Sequence, residues 1–409
     1  MATIAVLGTL DTKGEEHAYV AGLIRARGHR ALLIDVGSGA PPTVTPDFTR
    51  QQVVSAAGLD TNNLLDWQDR GECVAAMCQA ASVFIAKLAA VHDIDAIISL
   101  GGGGGTAIAT AAMRALPLGF PKLMVSTLAA GNTAHYLGTK DIVMMPSIAD
   151  VAGLNRLSRM IFSQAAGAIC GMVEAKVAAD DSRPLVVASM FGNTTTCVTE
   201  AQRIIEEAGY EVLIFSANGA GGRAMEALIE SGMVTGVLDL TTTELADELV
   251  GGTLSAGPDR MRAAALARVP TVVAPGCLDM VNFGEPGTVP PHFANRRFYQ
   301  HNPQVTLMRT SPAECAELGR ILAEKVNLYQ SLSTIMIPRN ALSAVGAPGQ
   351  PFHDPAADQA LFQSISAHSN VPIDQLDEEI NSRAFARACA EKLLHLMTAA
   401  RPATHHPGT

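Results

Sequence analysis

A run of five glycines closed by a threonine has the composition of a phosphate-holding turn: Gly101, Gly102, Gly103, Gly104, Gly105 and Thr106. The run follows a strand pattern that ends at Leu100 and leads into an Ala-rich helical pattern. Consecutive glycines permit positive φ angles and close approach of a ligand, and amides at a helix start attract anions. We therefore predict phosphate binding here. The alternative, a flexible linker, is disfavoured by the position between a strand and a helix.

The glycine run lacks the chemistry of two common nucleotide motifs. No lysine follows Gly105, as a Walker A loop requires. The run resembles the Gly-Gly-Asp-Gly-Thr turn of NAD kinases and phosphofructokinases, but glycine stands here in place of the acidic residue. The motif therefore predicts a phosphate contact without the metal or base role of that acid.

A second polar turn follows the first predicted strand and contains Thr9, Asp11, Thr12 and Lys13. Lys13 is suited to meet a phosphate, and Asp11 to hold Mg²⁺ through water or to accept from a ligand hydroxyl. The alternative is a capped helix start, with Thr12 as N-cap and Glu15 three residues later. Because ligands bind at the carboxyl ends of parallel strands, we expect this turn and the glycine run to face one crevice.

Two further features of the first half are candidate nucleotide contacts. Ser126, Thr127 and Gly131 belong to a small polar segment after another strand, which is either a ligand-closing loop or an ordinary surface loop. Asp35 ends the second strand, where Rossmann domains hold a ribose.

The second half concentrates acid–base and anion-binding residues in the segment 275–304, which we predict to be a long functional loop. An arginine there can bind a carboxylate or phosphate, and a histidine can transfer a proton. The alternative is a surface loop that packs against the other lobe or a second subunit. The candidate catalytic residues are Asp279, Asn282, His292, Arg296 and His301.

The elements that position these residues alternate between short β-branched runs, such as the predicted strand Leu185–Met190, and helical patterns, such as the one predicted from Glu15 to Arg27. This alternation is typical of βαβ units. We predict an α/β fold with two Rossmann-like lobes, each a mostly parallel sheet flanked by helices, and a cleft between them. The first lobe spans 1–180 and binds the nucleotide, the second spans 181–398, and 399–409 is a disordered tail. His405 and His406 in that tail are expected to be inert.

Composition narrows the function classes. The 409 residues are 48% hydrophobic and 17% charged, with a net charge of −10. This charge argues against a nucleic-acid partner but not against ATP, whose phosphates need only local amides and cations. Seven scattered cysteines without a C-x-x-C pair predict reduced thiols in a cytoplasmic protein and no metal site. We expect neither a signal peptide nor a membrane span.

Three segments together resemble the ATP-binding family of the tomato mosaic virus resistance protein. They are GTLDTKGEE from Gly8, the Pro275–Gly284 segment with the sequence PGCLDMVNFG, and HNPQVTLMRT from His301, beside the glycine run. The resemblance implies two Rossmann-like subdomains, ATP binding and a homodimer. The viral partner of the plant protein is not carried over, because these motifs do not include the surface that recognises it.

The leading hypothesis is an ATP-binding protein, with or without Mg²⁺, that acts on or regulates the handling of a small metabolite. One alternative is an ATP-independent hydrolase or carbon–carbon lyase that acts on a carboxylated or keto substrate. The other is a non-enzymatic module in which the nucleotide controls assembly with a separate protein partner.

Overall fold

The computed structural model describes residues 1–59, 69–176 and 183–400. The chain divides into two compact units, Met1–Ala179 and Asp180–Thr409. The domain boundary predicted near Asp180 and the tail from residue 401 lie outside the described residues. The last helix continues to Ala400, beyond the start predicted for the tail at residue 399.

Unit 1 is built on a five-stranded parallel sheet in the order β2-β1-β3-β4-β5. This is a doubly wound order, in which connections leave in opposite directions on either side of the boundary between β1 and β3. The strands are β1 (Thr3–Gly8), β2 (Arg30–Asp35), β3 (Ala96–Gly101), β4 (Lys122–Ser126) and β5 (Val143–Pro146), and the helices are α1 (Leu10–Ala26), α2 (Arg50–Ala56), α3 (Arg70–Ala90), α4 (Gly103–Arg114), α5 (Ala134–Leu137) and α6 (Arg156–Glu174).

Helices cover both faces of the unit 1 sheet. One apolar cluster joins the sheet to α2, α3 and α4, and the other joins it to α1 and α6. Because both faces are buried, β1 and β3 are almost continuously apolar rather than alternating. The segment Gly71–Ala90 of α3 is long and apolar enough to cross a membrane. Its Met77, Ala81 and Ile85 are buried in the first cluster, as expected for a core helix.

Unit 2 contains a six-stranded parallel sheet in the order β14-β13-β9-β8-β6-β7. Read from β7, the order is second, first, third, fourth, fifth and sixth strand of this sheet. It is therefore the doubly wound order of unit 1 with one more strand at the end. The sheet strands are β6 (Leu185–Met190), β7 (Glu211–Ser216), β8 (Val234–Thr241), β9 (Thr271–Gly276), β13 (Ser333–Pro338) and β14 (Ile373–Leu376), and the helices are α7 (Thr195–Glu207), α8 (Ala220–Glu230), α9 (Glu244–Val250), α10 (Ala263–Ala267), α11 (Pro312–Val326), α12 (Pro355–His368) and α13 (Arg383–Ala400).

The segment predicted as one long loop, 275–304, is instead structured. It continues β9 to Gly276 and then forms β10 (Met280–Phe283), two short 3₁₀ turns and β11 (Phe298–Asn302). Both new strands pair antiparallel with β12 (Val305–Arg309) in a separate three-stranded sheet. These strands are too short to show a clear alternation of apolar residues in the sequence. They form because they pair with β12, and a sequence pattern does not record that pairing.

The α/β prediction is confirmed: two mostly parallel sheets are flanked by helices. The predicted strand Leu185–Met190 matches β6 in full, and most other predicted boundaries differ by one or two residues. The larger differences fall at functional turns. The glycine run supplies the first turn of α4 rather than a loop before it, and α1 begins at Leu10 rather than near Glu15.

Candidate functional site

A pocket of about 460 Å³ opens in unit 1 where the carboxyl ends of β1 and β3 meet. This is the point at which a doubly wound sheet leaves a crevice, because the two adjacent connections turn to opposite faces. Its volume lies within the range typical of small-molecule sites. The lining residues come from the first βα turn, the segment after β2, α3 and the start of α4: Thr9, Asp11, Thr12, Lys13, Ser38, Gly39, Cys73, Val74, Gly102, Gly103, Gly104, Gly105 and Ile108.

The glycine run presents an uncapped helix start to this pocket. Gly102 is the N-cap of α4 and provides no side-chain cap, and no acidic residue lies in the first turn. The amides of Gly103, Gly104 and Gly105 therefore point out of the helix without intrahelical acceptors. Such amides, with the positive end of the helix dipole, form an anion site.

The protein's own packing does not require glycine at these positions. None of the five glycines adopts a positive φ, so a need for positive φ angles does not explain why glycine stands at these positions. A Cβ added at Gly102, Gly104 or Gly105 would come no closer than 3.6 Å to another atom, and one at Gly103 would meet nothing within 4 Å. Glycine in a helix costs about 1 kcal/mol relative to alanine. The missing side chains leave open space on the pocket side, where a ligand can approach the amides.

The first βα turn is held by a residue that sequence reasoning missed, His17. Its ring is fully buried, Nδ1 lies 2.6 Å from the Lys13 carbonyl oxygen, and Nε2 accepts from the Leu100 amide at 3.3 Å. Nδ1 therefore carries the proton, and burial lowers the pKa of the ring. A Cβ on Gly8 would overlap this ring. The signal was the helical spacing of Leu10, His17 and Ile24, which marks the buried face of α1.

The helix cap that we considered for Thr12 does not form. α1 begins at Leu10 and is interrupted at Lys13, where φ is −135° and ψ is 31°. The Thr12 hydroxyl instead lies 3.2 Å from the Thr9 hydroxyl, and Lys13 Nζ donates to the Val151 carbonyl oxygen. Thr9, Thr12 and Lys13 line the same pocket as the start of α4, so two hydroxyl-bearing residues and one cationic residue belong to its walls.

Asp35 is committed to the protein rather than open to a ribose. Oδ1 accepts from the amides of Leu10 (3.2 Å) and Gly37 (2.9 Å), and Oδ2 accepts from Arg50 Nε at 2.7 Å. Asp35 and Arg50 are both almost fully buried. Asp11, by contrast, lines the pocket and uses only Oδ2, which accepts from the Gly39 amide at 2.9 Å.

The remaining unit 1 candidates lie behind or beside the pocket. Thr106 is fully buried, and its hydroxyl lies 2.7 Å from that of Ser126, which ties α4 to the end of β4. Gly101 ends β3 and accepts from the Thr127 amide at 3.2 Å. Gly131 lies in an exposed turn. None of these five lines the pocket.

The five catalytic candidates of unit 2 do not form a cluster. Asp279 and Asn282 are fully buried, whereas His292 and His301 are exposed, and Arg296 pairs with Glu314. Asp279 Oδ2 accepts from the Ser343 hydroxyl at 2.6 Å, and burial raises the pKa of this carboxyl. Within residues 183–400, no hydrogen bond or ion pair joins any two of the five. The structure therefore shows no bonded contact among these five candidates.

The crevice of unit 2 that corresponds to the pocket is filled by the unit's own side chains. The Thr194 and Thr241 hydroxyls lie 2.7 Å apart at the ends of β6 and β8. Residues from β10 cover this point: Met280 Sδ lies 3.7 Å from Asn193 Nδ2, and Asn282 Nδ2 donates to Thr243. The topology is shared by the two units, but the residues at this point of unit 2, including Thr241 and Asn282, are fully buried, whereas a pocket lies at the corresponding point of unit 1.

Asn282 also contacts Asp247, a fully buried carboxyl. Asp247 Oδ1 accepts from the Asn282 amide at 2.9 Å, and Oδ2 accepts from Asn282 Nδ2 at 2.7 Å. Burial nevertheless raises the pKa of Asp247 to about 7 from its ordinary 3.8. The folded state thus binds a proton more tightly than the unfolded state. The stability linked to this proton is fully present below about pH 4 and is lost as the pH rises through 7.

We expect Asp247→Asn to remove this pH dependence, because asparagine resembles the protonated acid at every pH. Its Oδ1 can still accept from the backbone, and the Asn282 amide can rotate to present its oxygen to the new NH₂ group. Relative to the variant, the wild type should lose roughly 2–4 kcal/mol of unfolding free energy between pH 4 and pH 8. Urea denaturation at several pH values measures this difference. The exposed Asp377→Asn is the control, and parallel pH profiles for wild type and Asp247→Asn would contradict the assignment.

Comparison with known proteins is consistent with the division into two units. The profile of the N-terminal domain of an uncharacterised protein family, UPF0261, matches residues 2–178, and that of its C-terminal domain matches 183–397. A UPF0261 protein of Clostridium tetani is 46% identical over 398 residues, which cover 96% of this chain and 98% of that protein. The similarity is therefore end to end.

The resemblance to the tomato family is also confirmed. The ToMV resistance protein Tm-1(GCR237) of Solanum lycopersicum is 34% identical over 420 residues, which cover 97% of this chain but 56% of the plant protein. Among solved structures, a UDP-N-acetylglucosamine 2-epimerase from Rickettsia bellii aligns over 97% of this chain and 96% of that one, at 9% identity and a TM-score of 0.21. A score this low supports no argument about function.

Proposed function

This chain belongs to the UPF0261 family, and we propose that its first unit binds the phosphate chain of a nucleotide at the start of α4. ATP, with or without Mg²⁺, is the ligand that the resemblance implies. In this proposal the chain uses the bound nucleotide to act on a small metabolite or to regulate how that metabolite is handled.

The observation that carries the proposal is the set of glycines at Gly102–Gly105. They line a pocket, start a helix, lack a cap, and have neither a positive φ nor a packing contact that demands glycine. A phosphate that contacts the three free amides gives a physical reason for the missing side chains, because a Cβ on the pocket side would keep its oxygens from the backbone.

The surrounding residues support an anionic ligand with further polar groups. Lys13 adds a positive charge to the positive end of the α4 dipole, and Thr9, Thr12 and Ser38 add hydroxyls. The site differs from a P-loop because its lysine comes from the β1–α1 turn rather than from the glycine run. Among the described residues, Asp11 is the one acid that lines the pocket, so their negative charge on its walls is low.

The unit 2 residues give less support to an ATP-independent hydrolase or lyase. Such a mechanism needs an acid or base within hydrogen-bond reach of a common substrate. His292 and His301 are exposed, and Asp279 is buried against Ser343. The proposal therefore places the nucleotide in unit 1 and leaves the metabolite-handling step open. The homodimer and the cytoplasmic location remain predictions.

Isothermal titration calorimetry of the purified chain with ATP tests the proposal, in the presence and absence of Mg²⁺ and beside inorganic tripolyphosphate. We expect saturable binding of ATP and an increase in melting temperature that grows with ATP concentration, because a ligand of the folded state stabilises it by mass action. Tripolyphosphate should compete with ATP. Absence of both heat and thermal shift at millimolar ATP would sink the proposal.

A further inference from the structure

Two buried polar atoms beside the pocket, Asp11 Oδ1 and Arg50 Nη2, have no hydrogen-bond partner among the residues that the structure describes. Arg50 is 4% exposed, and its other two nitrogens are used: Nε donates to Asp35 at 2.7 Å and Nη1 donates to the Gly39 carbonyl oxygen at 3.0 Å. A buried guanidinium N–H and a buried carboxylate oxygen are both costly to leave unpaired. These two atoms therefore indicate a place for a further polar group.

The two atoms lie close to each other, on the same side of Gly37. A Cβ on Gly37 would lie 2.6 Å from Asp11 Oδ1 and 2.8 Å from Arg50 Nη2. The atoms are thus no more than about 5.5 Å apart, a span that one oxygen can bridge with two hydrogen bonds of about 2.8 Å. Gly37 does not have a positive φ, so the contact with these two side chains is what excludes a Cβ there.

The chemistry of the pair restricts what can bridge it. The bridging atom must accept from a guanidinium N–H and donate to a carboxylate oxygen. A phosphate or carboxylate oxygen would be repelled by Asp11, an ammonium group would be repelled by Arg50, and a metal ion finds no ligand in Arg50. A hydroxyl group satisfies both partners, because it donates one hydrogen bond and accepts others.

We propose that Asp11 and Arg50 bind a sugar hydroxyl of the nucleotide whose phosphates contact the start of α4. The inference rests on the proposed function, because it assigns a second part of the same ligand within the same pocket. Asp11 lines that pocket together with Ser38 and Gly39. Asp11 thereby takes the hydroxyl-reading role that the sequence suggested for Asp35, whose two oxygens are occupied. The pocket then distinguishes a ribonucleotide from its deoxy analogues.

Calorimetric titration of the wild type with ATP, 2′-deoxy-ATP, 3′-deoxy-ATP and tripolyphosphate tests this contact without any substitution. We expect one deoxy analogue to bind at least about tenfold more weakly than ATP, since a hydrogen bond to a charged group contributes about 1.5–3 kcal/mol. In Asp11→Asn, ATP should bind as weakly as that analogue, and the difference between the two should vanish. The exposed Asp93→Asn should retain the wild-type pattern, and thermal melts confirm that both variants fold.

The outcomes separate this inference from the proposed function. If both deoxy analogues bind as tightly as ATP, or if ATP binds no more tightly than tripolyphosphate, the phosphate site stands and the hydroxyl contact is overturned. An equal loss of affinity for ATP and its analogues in Asp11→Asn also overturns it, because Asp11 then only shapes the pocket or holds internal water. If neither ATP nor tripolyphosphate binds, both proposals fail together.

Discussion

Replacing Gly103 with aspartate is expected to abolish ATP binding while the free energy of unfolding stays the same or rises. A Cβ at Gly103 meets no atom within 4 Å, so the side chain fits without displacing the protein. An acid in the first turn of a helix stabilises it by about 0.3–1 kcal/mol, and the loss of glycine adds a further gain. The same carboxylate would stand beside the amides that hold the phosphates. We expect at least a hundredfold loss of ATP affinity.

Opposite signs for stability and binding make this variant informative. If Gly103 had only a structural role, the substitution would lower the stability of the protein. If it belonged to a linker, the substitution would change neither stability nor ATP binding. Gly103→Asn has nearly the same shape without the charge and should weaken ATP binding less. Ala220→Asp is a matched control, because Ala220 is exposed and begins α8, which also lacks an acid in its first turn. If Gly103→Asp bound ATP with wild-type affinity, the result would contradict phosphate binding at this helix start.

Loss of the Arg260 side chain is expected to give the largest loss of stability. Arg260 is 1% exposed and is surrounded by three carboxylates in unit 2. Two of its nitrogens donate to Asp239 at 2.7 Å, Nε donates to Glu244 at 2.6 Å, and Nη1 lies 3.2 Å from Glu226. Arg260→Met would leave these acids buried without their cation. Breaking a buried ion pair in this way costs about 3–5 kcal/mol.

Chemical denaturation of Arg260→Met, or its soluble yield if it does not fold at neutral pH, measures this effect. Arg262→Met is the matched control, because Arg262 is two residues away, 60% exposed and paired with the exposed Asp259. Its change should stay within about 0.5 kcal/mol. Adding Asp239→Asn to Arg260→Met should recover part of the loss by removing one uncompensated charge. A folded Arg260→Met with wild-type stability would show that the network contributes little.

The parallel sheets were predictable because their signals are local. Buried β-branched runs such as Leu185–Met190 and the helical spacing of α1 and α3 depend on neighbouring residues alone. The antiparallel strands β10 and β11 were missed for the opposite reason. Each is four or five residues long and is ordered by pairing with β12, and short apolar segments in a Pro-rich stretch do not indicate which strand they will pair with.

The candidate phosphate site divides in the same way. The glycine run and Lys13 were recognisable because residue type and a position after a strand suffice to indicate an anion-binding turn. The shared crevice was also predictable, since doubly wound sheets bring such turns together at the carboxyl ends of their strands. The sequence does not predict whether side chains leave such a crevice open or fill it. Unit 2 has a similar topology, yet Met280 and Asn282 fill the equivalent point.

By itself, therefore, the sequence determined the fold class, the strands of the parallel sheets except the edge strand β14, and the glycine turn that faces the pocket. Only the tertiary structure decided which polar groups remain available to a ligand. Asp35 is neutralised by Arg50, fifteen residues away, and the first turn is anchored by His17, whose partner Leu100 is 83 residues away. Hydrogen-bond partners at such separations depend on how the chain packs, and no local pattern records them. For that reason Asp11, rather than Asp35, retains an oxygen for a ligand.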